Sequence, residues 1–289
     1  MTPADVDEIG RWSEVKLEII KKYATAYSTI LTKSGIHHVY IDGFAGTGYH
    51  VSKRTGEFVL GSPLNALLVQ PPFRRYFLID FDGDKVAGLR DMIGPRDDVQ
   101  VLEGDCNEVL LRGVFPQVRY EDFRRGLCLL DPYGMTLNWE VVRSAAAMRS
   151  LEVFLNFPIH DMNRNVLRRR PGGEDPSSVA RMNAYWGDES WRAAAYRRVS
   201  TLFGEEDEKL SNQAVVNAYC DRLRQVAGFA HVAAPLPMKN STGAVVYYLL
   251  FASHKPVAKK IVDDIYRNTG EEGPWAGRRS SGPTRPGTR

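Results

Sequence analysis

Short apolar runs alternate along the chain with longer segments in which apolar residues recur every three or four positions. Five of the runs are continuous enough to form buried strands, at residues 37–42, 75–80, 99–103, 126–131 and 152–157. Strands that are apolar on both faces and alternate with helices are typical of a parallel sheet covered by helices on each side. The pattern therefore predicts an α/β fold around a mostly parallel sheet.

The helical periodicity is clearest at residues 13–33, where Ser13 is a candidate cap. Other helices are predicted from Ser62 onward, with Pro63 in the first turn, and at residues 83–92, 213–227 and 256–266. Residues 49–61 predict a loop or a small hairpin. Two further β-segments, 229–237 and 244–252, are joined by a turn-rich connection and predict a terminal β-hairpin.

Residues 160–212 interrupt this rhythm, because they are rich in arginine, tryptophan and aspartate. We expect them to form a helical insertion. From residue 269 onward glycine, proline, serine and arginine dominate, which predicts disorder. The expected organisation is one domain over residues 1–268, with the insertion at about 160–212, followed by a disordered tail over 269–289.

Carboxylates stand at or just after the ends of four predicted strands: Asp42, Asp80, Asp105 and Asp131. In an open parallel sheet, ligands bind outside the carboxyl ends of the strands. Aspartate also starts turns, so a single residue of this kind carries little weight. Four of them, placed beside glycine turns, indicate a ligand site along this edge.

The turn after the first strand is the sharpest signal, since Gly43, Gly46 and Gly48 fall within six residues. Glycine allows tight turns and a close approach of the backbone to a ligand. The spacing matches neither the dinucleotide fingerprint nor a Walker A loop. It fits a nucleotide-type ligand, or else a glycine-rich connection without a ligand.

Asp80 and Asp82 follow the second strand, where an acid can accept hydrogen bonds from ribose hydroxyls. Asp105, after the third strand, could accept from an adenine amino group. The alternative for each residue is that it only caps the following helix.

Asp131, Pro132, Tyr133 and Gly134 follow the fourth strand. A carboxylate and a carbonyl beside proline can accept hydrogen bonds from a substrate amine, and tyrosine can stack on a flat base. Proline and glycine also form ordinary turns, so that interpretation stays open.

A stretch at residues 164–191 mixes arginines with aromatic residues, as a surface that binds nucleic acid would. A solvated helix face with a buried aromatic side is the commoner explanation. Its members are Arg164, Arg168, Arg169, Arg170, Arg181, Tyr185, Trp186 and Trp191.

Composition adds mainly exclusions. Apolar residues make up 43% and charged residues 25%, as in ordinary globular proteins, and no apolar run approaches the length of a bilayer span. The net charge is +3, of which residues 270–289 supply +2 from four arginines and two glutamates, so the body is nearly neutral. The acidic start and three scattered cysteines lead us to expect a cytoplasmic protein with reduced thiols. We expect no metal site, because no cysteine or histidine pair has ligand spacing.

These motifs, in this order, resemble those of class I S-adenosylmethionine-dependent methyltransferases. More narrowly, residues 10–267 resemble the three-Cys-motif partner protein family (TcmP). The segments that carry the resemblance begin at Trp12, Tyr40, Gly61, Gly104, Leu130 and Asn156, and read WSEVK, YIDGFAG, GSP, GDCN, LDPYG and NFP. The family's name refers to a partner protein with three cysteines, not to the cysteines of this chain.

The resemblance implies a Rossmann-like class I methyltransferase fold with a seven-stranded, mostly parallel sheet and a terminal β-hairpin. It implies S-adenosyl-L-methionine as cofactor, held by Asp42, Gly43, Phe44, Ala45, Gly46, Gly48, Asp80, Asp82, Asp105 and Cys106. Asp131, Pro132 and Tyr133 would position the acceptor. The last motif is similar to the Asp/Asn-Pro-Pro-Tyr signature of amino methyltransferases but lacks one proline, which leaves a nucleobase acceptor open.

Two functions follow. The first is a methyltransferase that transfers the methyl group to a nitrogen of a nucleobase, and hence of a nucleic acid, or of another amino acceptor. The second is a non-catalytic partner that keeps the fold in order to dock a three-cysteine-motif, radical-SAM-like protein. Lys16 belongs to the family-like stretch and is a further candidate for the cofactor or substrate side.

Overall fold

The computed structural model of the protein describes residues 7–169, 171–201 and 204–272. The strands are β1 (Glu8–Ile9), β2 (His37–Asp42), β3 (Tyr49–Ser52), β4 (Phe58–Leu60), β5 (Arg75–Asp80), β6 (Val99–Glu103), β7 (Arg124–Leu130), β8 (Leu151–Phe157), β9 (Tyr196–Thr201), β10 (Gly204–Lys209), β11 (His231–Val232), β12 (Leu236–Lys239) and β13 (Val245–Ser253). The helices are α1 (Arg11–Lys33), α2 (Ser62–Leu67), α3 (Gly83–Ile93), α4 (Cys106–Glu108), α5 (Trp139–Met148), α6 (Ile159–Asn165), α7 (Pro176–Trp186), α8 (Trp191–Ala195), α9 (Asn212–Arg222) and α10 (Pro256–Glu272).

The main sheet has the order β11-β13-β8-β7-β2-β5-β6, and β12 also pairs with β13. Strands β6, β5, β2, β7 and β8 are parallel, whereas β13 runs antiparallel to β8. The prediction of a mixed α/β fold with a mostly parallel central sheet is confirmed. The seven-stranded count matches only approximately, because β11 and β12 are two separate strands that pair with successive parts of β13.

The chain changes direction across the sheet at β2. It first builds outward through β5 to β6, and then returns to the other side of β2 to form β7 and β8. Neighbouring strands whose helices leave in opposite directions open a crevice at their carboxyl ends, and ligands of open α/β sheets bind there. The crevice of this fold therefore lies where β2 and β7 end.

Each face of the sheet buries its own apolar cluster, as alternating side chains of a strand require. In β2, Val39 and Ile41 join one cluster and Tyr40 joins the other. The Tyr40 side packs against α1 and α10, with Tyr23 and Val262 fully buried. The opposite side packs against α5, α7 and α9. This double covering explains why the strands are almost continuously apolar.

The segment predicted as a helical insertion contains α6, α7 and α8, but it also forms the antiparallel hairpin β9–β10. The expectation of a purely helical insertion is therefore wrong. Acidic residues of β10 stand opposite basic residues of β9, for example Glu208 opposite Arg197, and such cross-strand pairs favour a hairpin on an exposed surface. Helical periodicity alone did not reveal this charge complementarity.

Two boundaries also differ from the expectations. Helix α1 starts two residues early, and Gly10 rather than Ser13 is its cap residue. Helix α10 continues to Glu272, so the first residues of the predicted disordered tail are helical; its residues 273–289 lie outside the described part of the chain. Among the described helices, none combines the length and apolar character needed to cross a bilayer.

Candidate functional site

A cavity of about 320 Å³ opens where β2 and β7 end. Its lining includes seven of the candidate residues from the sequence analysis: Lys16, Phe44, Ala45, Gly46, Asp131, Pro132 and Tyr133. The motifs that follow the first and fourth predicted strands thus meet at one place. The other candidates lie around the cavity without lining it: Asp42, Gly43, Gly48, Asp80, Asp82, Asp105 and Cys106.

The glycine loop, residues 43–48, is tied to the neighbouring strand β5. The backbone N–H of Ala45 donates to the carbonyl of Ile79, and that of Gly46 donates to Asp80 Oδ2 at 2.8 Å. Gly46 has a φ of +62°, a conformation that side chains other than glycine rarely adopt. Asp80 therefore fixes the loop at the edge of the cavity, which is a role the sequence did not predict for it.

Asp42 lies fully buried beneath the glycine loop. Its Oδ1 accepts from the Phe44 N–H at 3.2 Å, and Ser62 and Tyr40 also bond the carboxyl group. Burial raises the pKa of Asp42 to about 6, although the bonds from Ser62 and Phe44 oppose this shift. The structure thus gives Asp42 a place under the turn rather than on the cavity surface.

An Asp42→Asn variant should lose part of the pH dependence of folding. The folded pKa of Asp42 is raised to about 6, so the folded chain holds this proton between about pH 4 and 6, whereas the unfolded chain has released it. This contribution to stability is fully present below about pH 4 and is lost as the pH rises through 6. Between pH 4 and 7, the free energy of unfolding should fall by about 2–3 kcal/mol more in the wild type than in the variant. Urea unfolding from pH 4 to 7 measures the difference, and parallel curves would contradict it.

Asp131 forms an ion pair with Lys16, which reaches into the cavity from α1. Lys16 is 6% exposed, and its ammonium bonds Asp131 Oδ2. Burial disfavours the charged lysine, but the charge and hydrogen bond of Asp131 outweigh burial and raise the pKa of Lys16. The lysine stays charged, and Asp131 keeps its second oxygen, Oδ1, for another donor.

The chain turns sharply after Asp131, and Gly134 makes this turn with a φ of +70°. A Cβ atom on Gly134 would come within 2.5 Å of Asp161 Oδ2. That carboxylate also accepts from the Met135 N–H at 3.2 Å. Gly134, which follows Tyr133 where the chain departs from the amino methyltransferase signature, is therefore required by the local backbone. The ring of Tyr133 is largely exposed at the mouth of the cavity.

A Gly134→Ala variant should be markedly less stable than a matched Gly35→Ala variant. Both glycines have similar positive φ values, +70° and +66°, but a Cβ on Gly35 meets nothing within 4 Å. The strained backbone alone should cost about 1 kcal/mol in each variant, and the clash with Asp161 should add at least about as much again. Chemical denaturation of both variants tests this, and equal losses would show that Asp161 moves aside freely.

Two polar atoms of the cavity lining have no hydrogen-bond partner within the described residues: Asn156 Oδ1 and His50 Nδ1. Asn156 is 8% exposed and lies near the end of β8, beside the end of β7. Burial, and then the nearby charge of Lys16, lower the pKa of His50, so this imidazole is neutral. Buried polar atoms are seldom left unpaired in native proteins, and a ligand with hydrogen-bonding groups would satisfy both.

Asp82 and Asp105 cap helices, as the alternative interpretation proposed. Asp82 Oδ1 accepts from the N–H groups of Asp84 and Lys85, and Asp105 Oδ1 accepts from those of Asn107 and Glu108. In both residues the capping bonds engage only one oxygen, which leaves Oδ2 for a ligand.

The neighbours of these capping residues differ in exposure. Cys106 is buried, and burial raises the pKa of its thiol. Phe81, between Asp80 and Asp82, exposes 79% of its surface. The segment after β5 thus combines two carboxylates, those of Asp80 and Asp82, with the exposed ring of Phe81.

The segment before α1 covers one side of the cavity, and the sequence analysis did not single it out. Asp7, Glu8 and Ile9 line the cavity because β1 pairs with β3. Asp7 lies 3.5 Å from Lys85 Nζ and 3.4 Å from the hydroxyl of Tyr133. Ser13, Leu17, Ser62 and Tyr247 complete the lining. Of these, Ser13 and Ser62 had a sequence signal, since they fall within the family-like segments.

Comparison with known proteins gives distant similarities only. The protein LPL1258 from Legionella pneumophila has a TM-score of 0.46 and 12% identity, over 88% of this chain and 91% of that one. A proposed S-adenosylmethionine-dependent methyltransferase from Listeria monocytogenes has a TM-score of 0.42 and 9% identity, over 76% and 92%. An S-adenosylmethionine-dependent methyltransferase from Mesorhizobium loti has a TM-score of 0.34 and 12% identity, over 75% and 90%. No family model matches the chain, and no curated protein matches it. Similarities at this level carry no conclusion about function.

Proposed function

We propose that the protein is an S-adenosylmethionine-dependent methyltransferase that acts on an amino nitrogen. One observation carries the proposal: the glycine loop after β2 and the Asp131-Pro132-Tyr133 turn after β7 line the same cavity. This cavity lies where the chain reverses its direction across the sheet. Group transfer needs a cofactor-binding turn and an acceptor-binding turn at one cavity, and this arrangement supports those two roles.

The residues around the glycine loop fit S-adenosylmethionine. Asp80 uses one bond on each oxygen, to the N–H groups of Gly46 and Asp82, and a carboxylate has lone pairs for further bonds from ribose hydroxyls. Asp105 Oδ2 is left for an amino group, and the exposed ring of Phe81 offers a stacking face. The open space beside Gly46 would take the methionine part of the cofactor.

When bound, S-adenosylmethionine supplies a methyl group activated by a sulfonium centre. The residues of the chain would then align the acceptor. Asp131 Oδ1 can accept a hydrogen bond from the acceptor amine, while Lys16 holds Oδ2 and so fixes the carboxylate. The unpaired Asn156 Oδ1 can accept a second bond from the amine. The segment at Asp7 covers the cavity and limits access of water.

The finer assignment follows the sequence resemblance. We infer a member of the three-Cys-motif partner protein family whose acceptor is a nucleobase or another amino compound, acting in the cytoplasm. The antiparallel strand β13, placed beside β8, supports the terminal hairpin that the resemblance implies. One proline of the amino methyltransferase signature is missing, but the chain still turns here because Gly134 follows Tyr133, and this turn supports an acceptor site.

A second function is favoured by the ion pair itself. The ammonium of Lys16 bonds Asp131 Oδ2, so only Oδ1 is left for an acceptor amine in the first function. If Oδ1 takes up no acceptor, the chain would be a non-catalytic partner that docks a three-cysteine-motif protein. The two functions differ in whether any methyl group is transferred.

Transfer of labelled methyl groups tests the choice. The full chain is incubated with methyl-tritiated S-adenosylmethionine and with separate DNA, RNA, protein and small-amine fractions. The proposed function predicts label in at least one fraction with the wild type. No label in any fraction, alone or with an added three-cysteine-motif protein, would contradict it, and a stable complex with that protein would then support the second function.

A further inference from the structure

A second cleft lies next to the proposed catalytic cavity, and basic residues surround it. Its volume is about 500 Å³, and its lining includes Arg11, Trp12, Lys53, Arg54 and Lys239. Among the residues that the structure describes, no acidic one lines it. We call these five residues and the space between them the basic cleft. The body of the chain is nearly neutral, so four cations around one cleft are a local concentration of positive charge.

Three separate elements build the basic cleft. Arg11 and Trp12 come from the first turn of α1, Lys53 and Arg54 from the turn between β3 and β4, and Lys239 from the end of β12. Arg11, Lys53 and Arg54 are exposed, and none of them forms an ion pair with another described residue. Their charge is therefore available to an anion from outside the chain.

The β3–β4 turn is held firmly in this position. The Lys53 N–H donates to the carbonyl of Ile9 at 2.9 Å, and Ser52 Oγ bonds Glu14 Oε1 at 2.6 Å. Glu14 is the acidic residue of the first turn of α1, and this bond engages its carboxylate with the protein. The cations are thus placed on anchored backbone rather than on a free loop.

Trp12 supplies an aromatic surface in the cleft. Its ring lies across Gly10, where a Cβ atom would come within 2.3 Å of it, and the ring stays partly exposed. The carbonyl of the same residue accepts from the hydroxyl of Tyr247, which lines the catalytic cavity. Residues 9–13 therefore form a wall shared by the cleft and the cavity. Ile9 and Ser13 line the cavity, and residues 10–12 line the cleft.

We propose that the basic cleft binds a single strand of nucleic acid and presents one of its bases to the catalytic cavity. Cations that follow a phosphodiester backbone, together with an aromatic face for a base, are the usual means of binding single strands. The part of this inference in which a base enters the cavity rests on the proposed function, whereas binding of the strand to the cleft does not. It names the acceptor as a nucleobase in a polynucleotide.

The stretch at residues 164–191, which the sequence analysis considered for this role, does not fit it. Tyr185, Trp186 and Trp191 are fully buried in the core, so no base can stack on them. A hydrogen bond from Trp191 Nε1 to Asn183 Oδ1 also holds the Trp191 ring in place. Arg170 lies outside the described residues. The aromatic residues of that stretch are structural, whereas the basic cleft combines cations with the partly exposed ring of Trp12.

Binding of fluorescent 12-nucleotide single strands of RNA and of DNA tests the proposal without any cofactor. The Lys53→Glu/Arg54→Glu variant should weaken binding of the preferred strand by about tenfold or more. It should also reduce the slope of the logarithm of the binding constant against the logarithm of salt concentration by about 1.4. A matched Lys21→Glu/Lys260→Glu variant makes the same change in net charge at exposed positions outside the cleft, and should bind within about twofold of the wild type.

A Trp12→Leu variant separates stacking from charge. Loss of one stacked base should weaken binding about tenfold, with the slope of the salt dependence unchanged. If Trp12→Leu fails to fold, the charge variants still decide the question. No binding of RNA or DNA to the wild type at low salt, equal weakening by both charge variants, or polyglutamate binding as tightly as the strands would overturn the proposal. Failure of cofactor binding would overturn the proposed function but leave this result untouched.

Discussion

An Asp131→Ala variant will lose methyl transfer by at least about a hundredfold, because it removes the hydrogen-bond acceptor for the substrate amine and the alignment that it provides. It will also be less stable. Lys16 is almost fully buried and depends on this carboxylate for its charge, whereas Asp131 lies nearer to water, with 26% of its side chain exposed. Loss of the carboxylate strands a buried cation, and we expect a cost of about 1–3 kcal/mol. Transfer of labelled methyl and urea unfolding measure the two effects.

The same pair offers a control that separates stability from chemistry. Lys16→Met fills similar space without charge and leaves the partly exposed Asp131, so it should destabilise less than Asp131→Ala. The double variant should regain much of the stability but none of the activity. If the double variant regained activity too, Asp131 would be a structural partner of Lys16 and not a positioning group for the acceptor.

Asp80→Ala will weaken binding of S-adenosylmethionine by about tenfold to a hundredfold, far more than Asp82→Ala. The Asp80 carboxylate holds the Gly46 N–H and offers further lone pairs to the ribose, so its loss removes charge-assisted bonds and loosens the loop. Asp82 caps α3 through Oδ1, so its loss should cost about 1 kcal/mol of folding free energy with little change in affinity. Calorimetric titration and thermal melts of both variants make the comparison, and the reverse ranking would assign the ribose to Asp82.

The sheet could be predicted from the sequence because its strands are buried on both faces. Strands β2, β5 and β6 coincide with the predicted runs, since each run ends at a carboxylate or glycine where the chain leaves the sheet. The hairpin β9–β10 was missed because it is exposed and acidic along β10, without the apolar alternation on which strand prediction depends. Its strands are matched by opposite charges, which become visible only once they are paired.

The candidate site could be predicted only in part. Phe44 and Asp131 were found because strand ends in a parallel sheet lie along one edge, whatever the distance between them in sequence. Asp7 and Tyr247 reach the cavity through the pairing of β1 with β3 and through the position of β13 beside β8, which no local pattern encodes. The roles of Asp42 and Asp80 under and beside the glycine loop also depend on tertiary hydrogen bonds.

Lys16 was a candidate from the sequence, but its ion pair with Asp131 was not predicted. On α1 it lies three and four residues before Ile19 and Ile20, on the apolar face of the helix, whereas Lys21 and Lys22 are exposed. The fold turns it inward, and the charge of Asp131 stabilises it there. A buried ion pair between the first helix and the fourth parallel strand is a property of the packed chain.

Calorimetric titration of the full wild-type chain with S-adenosylmethionine, and then with S-adenosylhomocysteine, measures whether this cavity binds the cofactor. We expect saturable binding of both ligands in the micromolar range, because the glycine loop, Asp80 and the cavity beside Asp131 are already assembled. Absence of binding at millimolar concentrations of either ligand would contradict the claim that this cavity is a methyl-transfer site.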